Sequence, residues 1–196
     1  EILTLFVATL FNWEAPLLAV HILWVNLATA TLPALALGVD PAGKNVMKHQ
    51  PVKSGTLFEK ALIQRVVVQG VFVAACAYWI GAESGGHAAG QTMAFCVLAF
   101  SQMLRAFNQR SNTEPVWVRA EGVNPWLIIS FVASALLMAC ILFVPALRGA
   151  FQLTRLNGVQ WLITLGLALL SIIQVEIVKL VRWIYNKSSR FGQRLK

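Results

Sequence analysis

The sequence predicts an all-α protein, a polytopic bundle of transmembrane helices with one partial and five full spans. Three observations predict it. Of the 196 residues, 58% are hydrophobic and only 12% are charged, and the mean hydropathy of +0.67 lies far above that of a water-soluble domain. The apolar blocks are roughly 18 to 25 residues long, enough at about 1.5 Å of rise per residue to cross about 30 Å of hydrocarbon. No segment shows the strict alternation over about 10 residues that a membrane β-barrel requires.

Taken in order, residues 1–10 are apolar but too short to cross alone, so they read as the end of a helix that starts upstream. A turn is expected at 11–16, then a span over about 17–39 and a polar connection over about 40–54 that contains Pro41 and Pro51. The next span, 58–80, follows a basic amphipathic start with Lys60, Gln64 and Arg65. The Gly-rich stretch GAESGGHAAGQ reads as a turn into a span over 92–107. After a polar connection, 125–144 spans again, 145–157 connects, and 158–185 forms the last helix before the basic tail NKSSRFGQRLK. Residues 1–39 thus form one helical hairpin, and 58–186 the helices around it.

Charge gives the orientation. If the 40–54 connection, the loop after Phe107 and the C-terminal tail share one side, that side and its helix ends hold every one of the 16 Lys and Arg except Arg148 and Arg155. The positive-inside bias then places those segments and the C-terminus in the cytoplasm. The net charge of +8 is accounted for by topology and contact with anionic headgroups of the lipid bilayer, with no nucleic-acid partner. No charged, cleavable leader is seen, so the spans themselves direct insertion. Short loops and no retention signal suggest a bacterial plasma membrane.

Cys76, Cys96 and Cys140 fall in three different spans without metal or redox spacing, and read as packing residues. His49 and His87 lie in loops, and His21 near a helix end is read as interfacial. The glycines at 81, 85, 86 and 90 match no phosphate-binding pattern and read as a turn. Glu176 and Lys179 are three apart, the spacing of an intrahelical ion pair.

The stretch HILWVNLATATLPALALG concentrates polar groups where hydrocarbon tolerates them least. Pro33 has no N–H, so the carbonyl of Thr29 four residues earlier loses its helical donor, and the proline ring crowds that same oxygen. Asn26 and Thr29, three apart, are expected to share a face. An amide oxygen, a hydroxyl and a freed carbonyl then converge, an oxygen set suited to a hard cation. The helix is accordingly expected to be broken and unwound over 26–33, as discontinuous membrane helices are where they line an ion site. A second reading stays open, in which Asn and Thr only hold helices together. Glu1 favours the site, because an ionisable group in an apolar helix near Asn26 is a functional candidate.

At these residues the chain resembles a known family. EILTLFVATLFNWEAPLLAVHILWVNLATATLPALALGVDP is similar to the fifth and sixth membrane helices of P-type cation-transporting ATPases of the calcium-pump group, where a glutamate and a WVNL-x-T-x-x-LPA-x-ALG motif recur. VMKHQPVKSGTLF, TMAFCVLAFSQMLRAFNQRS and NGVQWL continue the similarity through the loop before the seventh helix, the eighth helix and the start of the tenth. The resemblance implies a cation, with Ca2+ as the family's ion, and metal ligands at Glu1, Asn26 and Thr29. It also implies that ATP and Mg2+ act only through upstream phosphorylation, nucleotide-binding and actuator domains, because no D-K-T-G or Walker pattern is present here. The 40–54 connection would touch those domains or serve as a plain linker.

Two departures stand out. Calcium-pumping members carry Asp directly after the Thr, where this chain has Ala30, and the eighth helix often supplies Glu where this chain has Gln102. A dication out of water needs nearby negative charge, and both substitutions remove it. Gln102 and Arg105 share a helix face, so Arg105 reads either as a counter-charge in a second ion site or as a side chain reaching the membrane surface. Three functions follow: the ion-translocation part of an ATP-driven pump; a non-transporting bundle or degenerate pump remnant with a structural role; or a free-standing channel or secondary transporter, which predicts internal repeats with paired broken helices where the sequence offers one.

Overall fold

A computed structural model describes residues 2–10, 15–39, 67, 70–71, 74–109, 124–171, 173, 176–177 and 180. Glu1, the 40–54 connection, Lys60, Gln64, Arg65, Lys179, the loop at 110–123 and the basic tail lie outside the described residues. Among the described residues every regular element is helical: α1 (Ile2–Leu10), α2 (Ala19–Gly38), α3 (Ala74–Gly85), α4 (His87–Gln109), α5 (Pro125–Phe143), α6 (Pro145–Ala150) and α7 (Gly158–Ser171). Of these, α2 and α5 are long and apolar enough to cross a membrane. The expected tally of one partial and five full spans goes beyond what these two helices establish.

The centre of the fold is α4. Residues 92–99 are all buried, so at this level the helix has neighbours all round. Its small side chains, Ala94, Cys96 and Ala99 among them, let other helices approach closely, while Phe95 and Leu98 fill the space between. Val25 of α2, Tyr78 of α3, and Met138, Ile141 and Leu142 of α5 complete this core with Leu17 and Leu153 from the connections. Helix α1 packs its Leu5 against this core and is tied in by the Thr4 hydroxyl, which donates to the carbonyl of Gly70 at 3.0 Å.

Helix α5 starts as its sequence dictates. Asn124 accepts the N–H of Trp126 at 2.9 Å as N-cap, and Pro125 occupies the first position, where a missing N–H is harmless. Its faces are inverted relative to a helix in water. Leu127, Ser130, Ser134, Met138 and Ile141 are buried at spacings of three and four, whereas Trp126, Ile129, Leu136 and Phe143 are exposed. Helix α7 repeats the pattern, with Gln160, Thr164, Ala168 and Ser171 inside and Val159, Leu162 and Leu169 outside. Gln160 also accepts the backbone N–H of Asn157 at 2.8 Å, which satisfies a donor at the helix start. Hydroxyls facing inward and large apolar side chains facing outward suit an apolar surrounding rather than water.

The structure corrects the expected Gly-rich turn. Helix α3 runs to Gly85 and α4 begins at His87, five residues before the expected start, so only Gly86 lies between them. Its φ of +83° is the conformation that glycine adopts without strain. Gly90 has a different role. A Cβ there would lie 2.8 Å from the carbonyl oxygen of Tyr78 and 3.1 Å from the N of Ala82, so this glycine sets the close approach of the two helices. The 145–157 connection likewise contains the helical turn α6, followed by Gln152 at φ 52°. Cys96 is buried as expected of a packing residue, but Cys140 is exposed.

Because backbone cannot yield as a side-chain tip can, Gly90→Ala is expected to destabilise the fold by about 1–3 kcal/mol. Thermal unfolding of the purified protein in detergent measures this, and an unchanged melting temperature would contradict the close packing of α3 on α4.

Candidate functional site

Helix α2 carries the cluster. Ala19–Trp24 is α-helical, Val25–Ala30 is wound as a π-helix and Thr31–Gly38 is α-helical again. The expected break over 26–33 is therefore not found: the helix widens instead of unwinding. The physical reason lies in how its carbonyls are served. In the π register each N–H bonds the carbonyl five residues back, and this winding ends at Ala30, three residues before Pro33. The Ala28 carbonyl accepts a hydrogen bond from the Ser134 hydroxyl of α5 at 3.0 Å. Two further carbonyls of the widened turn accept hydroxyls from α2 itself: Thr29 donates to Val25, and Thr31 donates to Asn26 at 2.9 Å. Hydroxyl groups thus add donors to three carbonyls of the widened turn.

The wider winding also separates residues expected together. Thr29 is 1% exposed, whereas Asn26 is exposed, so the two side chains do not share a buried face. Three residues subtend a different angle in a π turn than in an α turn, which rotates Asn26 away from the direction of Thr29. Thr29 instead meets Gln102. Their oxygens, Oγ1 and Oε1, are 3.3 Å apart. Two ligands of one calcium-sized ion, each about 2.4 Å from it and at nearly a right angle, have a separation of this size. The Thr29 hydroxyl is within donating distance of both the Val25 carbonyl and Gln102 Oε1, and with its one proton turned to Val25 its lone pairs are left for a cation.

Arg105, one turn beyond Gln102 on α4, is half-buried, and its Nε finds no hydrogen-bond partner among the described residues. Ala30 is half-buried beside the cluster and Pro33 is buried. Glu1, the one carboxylate named for the site, lies outside the described residues. Among the described residues no three His, Cys, Asp or Glu side chains gather, so the oxygens found here are neutral. Glu176 is buried on the last helix, and its expected partner Lys179 lies outside the described residues.

Two residues that position α2 were missed by sequence reasoning. His21 is 0% exposed rather than interfacial. Its Nδ1 accepts the N–H of Leu18 at 3.3 Å and its Nε2 donates to the carbonyl of Phe151 at 2.7 Å, an arrangement that fits the neutral ring with its proton on Nε2. Phe95 lies against the ring with centroids 4.7 Å apart. At the other end Asn124 donates to the carbonyl of Ala36 at 3.2 Å while capping α5. A polar residue beside an apolar helix was the available signal for both. The acceptors are 130 and 88 residues away in sequence, where no local pattern reaches.

Residues 14–181 match the family described as "Cation transporting ATPase, C-terminus". The chain is 34% identical to the "Calcium-transporting ATPase 1" of Bacillus cereus, over 93% of its own length and 23% of that relative. It is 33% identical to the "Calcium-transporting ATPase" of Bacillus subtilis over 86% of its length and 19% of that protein. With the "Calcium-transporting ATPase 1" of Lactococcus lactis it shares 26% identity over 95% of the chain and 22% of the relative. The chain thus spans about a fifth to a quarter of the length of the curated relatives it matches.

The two roles of Asn124 can be separated. Asn124→Ala removes both the cap and the bond to α2, and is expected to destabilise by about 1–2 kcal/mol from the cap alone. Asn124→Asp keeps the cap acceptor but cannot donate to Ala36, and is expected to fall between the two in thermal unfolding. Equal losses in both variants would show that the cap is not the larger contribution.

Proposed function

Because this chain belongs to the cation-transporting ATPase family, as the C-terminal region of such proteins, we propose that it forms the membrane-embedded ion-translocation part of an ATP-driven P-type pump. The proposed cargo is a cation, with Ca2+ suggested by the names of the relatives. The host is a lipid bilayer, taken to be a bacterial plasma membrane with the C-terminus in the cytoplasm. The apolar exteriors of α5 and α7 and the asymmetric placement of Lys and Arg support that placement.

The observation that carries the reading is the meeting of Thr29 and Gln102. Oxygens from two helices lie 3.3 Å apart beside a π-wound segment that precedes Pro33. Ligands of this kind bind a hard cation, and Glu1 is a further ligand proposed from the resemblance, joined by Asn26 only in a winding that turns it back toward Thr29. A dication needs negative charge close by, so Glu1 carries the electrostatic part while the neutral oxygens replace lost water. Arg105, one turn beyond Gln102, is proposed to act as counter-charge where a second ion would otherwise bind.

Transport requires that the cluster face the two sides of the membrane in turn. Phosphorylation belongs to upstream domains, which bind ATP and Mg2+ and drive the hairpin over 1–39 against the helices that follow. In this scheme α4 and α5 form the support on which the site helix re-registers, and the 40–54 connection relays movement from those domains. The competing reading is a bundle that has lost transport, and Ala30 is the residue that favours it.

The test uses the full-length protein. Thr29→Ala is expected to raise the Ca2+ concentration for half-maximal ATPase activity about tenfold, the scale of one lost charge-assisted contact. Ala30→Asp is expected to lower it by a similar factor, measured with 45Ca2+ uptake into proteoliposomes. No response to Ala30→Asp, together with none to Glu1→Gln, would favour the non-transporting bundle.

A further inference from the structure

Three carbonyls of the π-wound segment take hydroxyl donors, and they differ in origin. Those of Val25 and Asn26 are served by Thr29 and Thr31 of the same helix, and move with it. That of Ala28 is served by Ser134, 106 residues away on α5. Ser134 is 0% exposed, so water does not compete for this bond. The bond from α5 therefore fixes the winding of α2 one residue before Thr29, the residue that faces Gln102.

We propose that Ser134 is a positioning residue for the cation site: by donating to the Ala28 carbonyl it holds the π register that presents Thr29 to Gln102. The proposal rests on the reading of Thr29 and Gln102 as cation ligands. Without the Ser134 hydroxyl the Ala28 oxygen is left with a buried vacancy on the side of α5, and the segment gains by tightening toward the α register. Tightening rotates Thr29 relative to Gln102 and separates the two oxygens. Ser134 touches no ion in this scheme and acts only through the backbone.

A neighbouring serine provides the control. Ser130 is buried on the same face of α5, but its hydroxyl donates to Leu127 of its own helix at 2.9 Å. Both serines lose one hydroxyl on replacement by alanine, and only one of them reaches α2.

The experiment measures Ca2+ activation of ATP hydrolysis by the full-length pump, with melting temperature in detergent recorded for each variant. Ser134→Ala is expected to raise the half-activating Ca2+ concentration about three- to tenfold, with maximal turnover within about twofold of the parent. Ser130→Ala is expected to leave affinity unchanged, and Ser134→Thr to restore it by keeping the hydroxyl. Equal affinity shifts in Ser134→Ala and Ser130→Ala would overturn the proposal, because packing alone would then explain both. So would a lowered melting temperature in Ser134→Ala with unchanged affinity while Thr29→Ala weakens binding, an outcome that leaves the cation site standing. If neither Thr29→Ala nor Ser134→Ala changes affinity, the cation site itself fails and the proposal falls with it. Should Ser134→Ala not accumulate, Ser134→Cys, a weak donor of similar shape, takes its place with the same outcomes.

Discussion

The arrangement of this molecule turns on how the carbonyls of one apolar helix are served. Pro33 sits in that helix and offers no N–H, in surroundings where an unpaired carbonyl has no water to turn to. The helix does not break there. Its winding changes just ahead of the proline. Residues 25–30 adopt the π register, and hydroxyls of Thr29, Thr31 and Ser134 supply donors. Polar side chains that look misplaced in an apolar sequence are those which the altered winding requires.

This solution ties the helix to its neighbours. Because Ser134 and Gln102 belong to α5 and α4, the Thr29 side chain and the Ala28 carbonyl of α2 are directed inward, and the fold presents buried hydroxyls to its core and large apolar groups to its exterior. Close approach of the helices is then supported by small residues, as at Gly90 against Tyr78 and along the fully buried part of α4.

How much of this was legible depended on the range of the interaction. The start of α5 was readable because Asn124 and Pro125 signal a helix terminus locally. The anomaly around Pro33 was readable too, but the π winding ahead of it was not, and the donor to Ala28 lies 106 residues away. Composition misled at the Gly-rich stretch: Gly86 turns the chain, whereas Gly90 is there for lack of a side chain. Thr29 and Gln102 were both named from the sequence, and the structure brings them together. Asn26 and Thr29 were placed on one face by α-helical spacing, and the π turn separates them. His21 was misplaced at an interface because nothing near it in sequence reveals the Phe151 carbonyl that it meets.

The two ends of α2 give the widened centre its physical meaning. His21 holds the N-terminal end to Phe151, and Asn124 holds the carbonyl of Ala36 near the C-terminal end. Between these fixed points the number of residues is constant, so a change from π to α winding must rotate one end against the other. Both clamps are bonds to backbone carbonyls and depend on direction as well as distance, so they oppose such rotation. The π register is therefore a property of the whole assembly rather than of the VNLATA sequence alone. A helix held in this way can rearrange its central oxygens only if a neighbouring element moves with it.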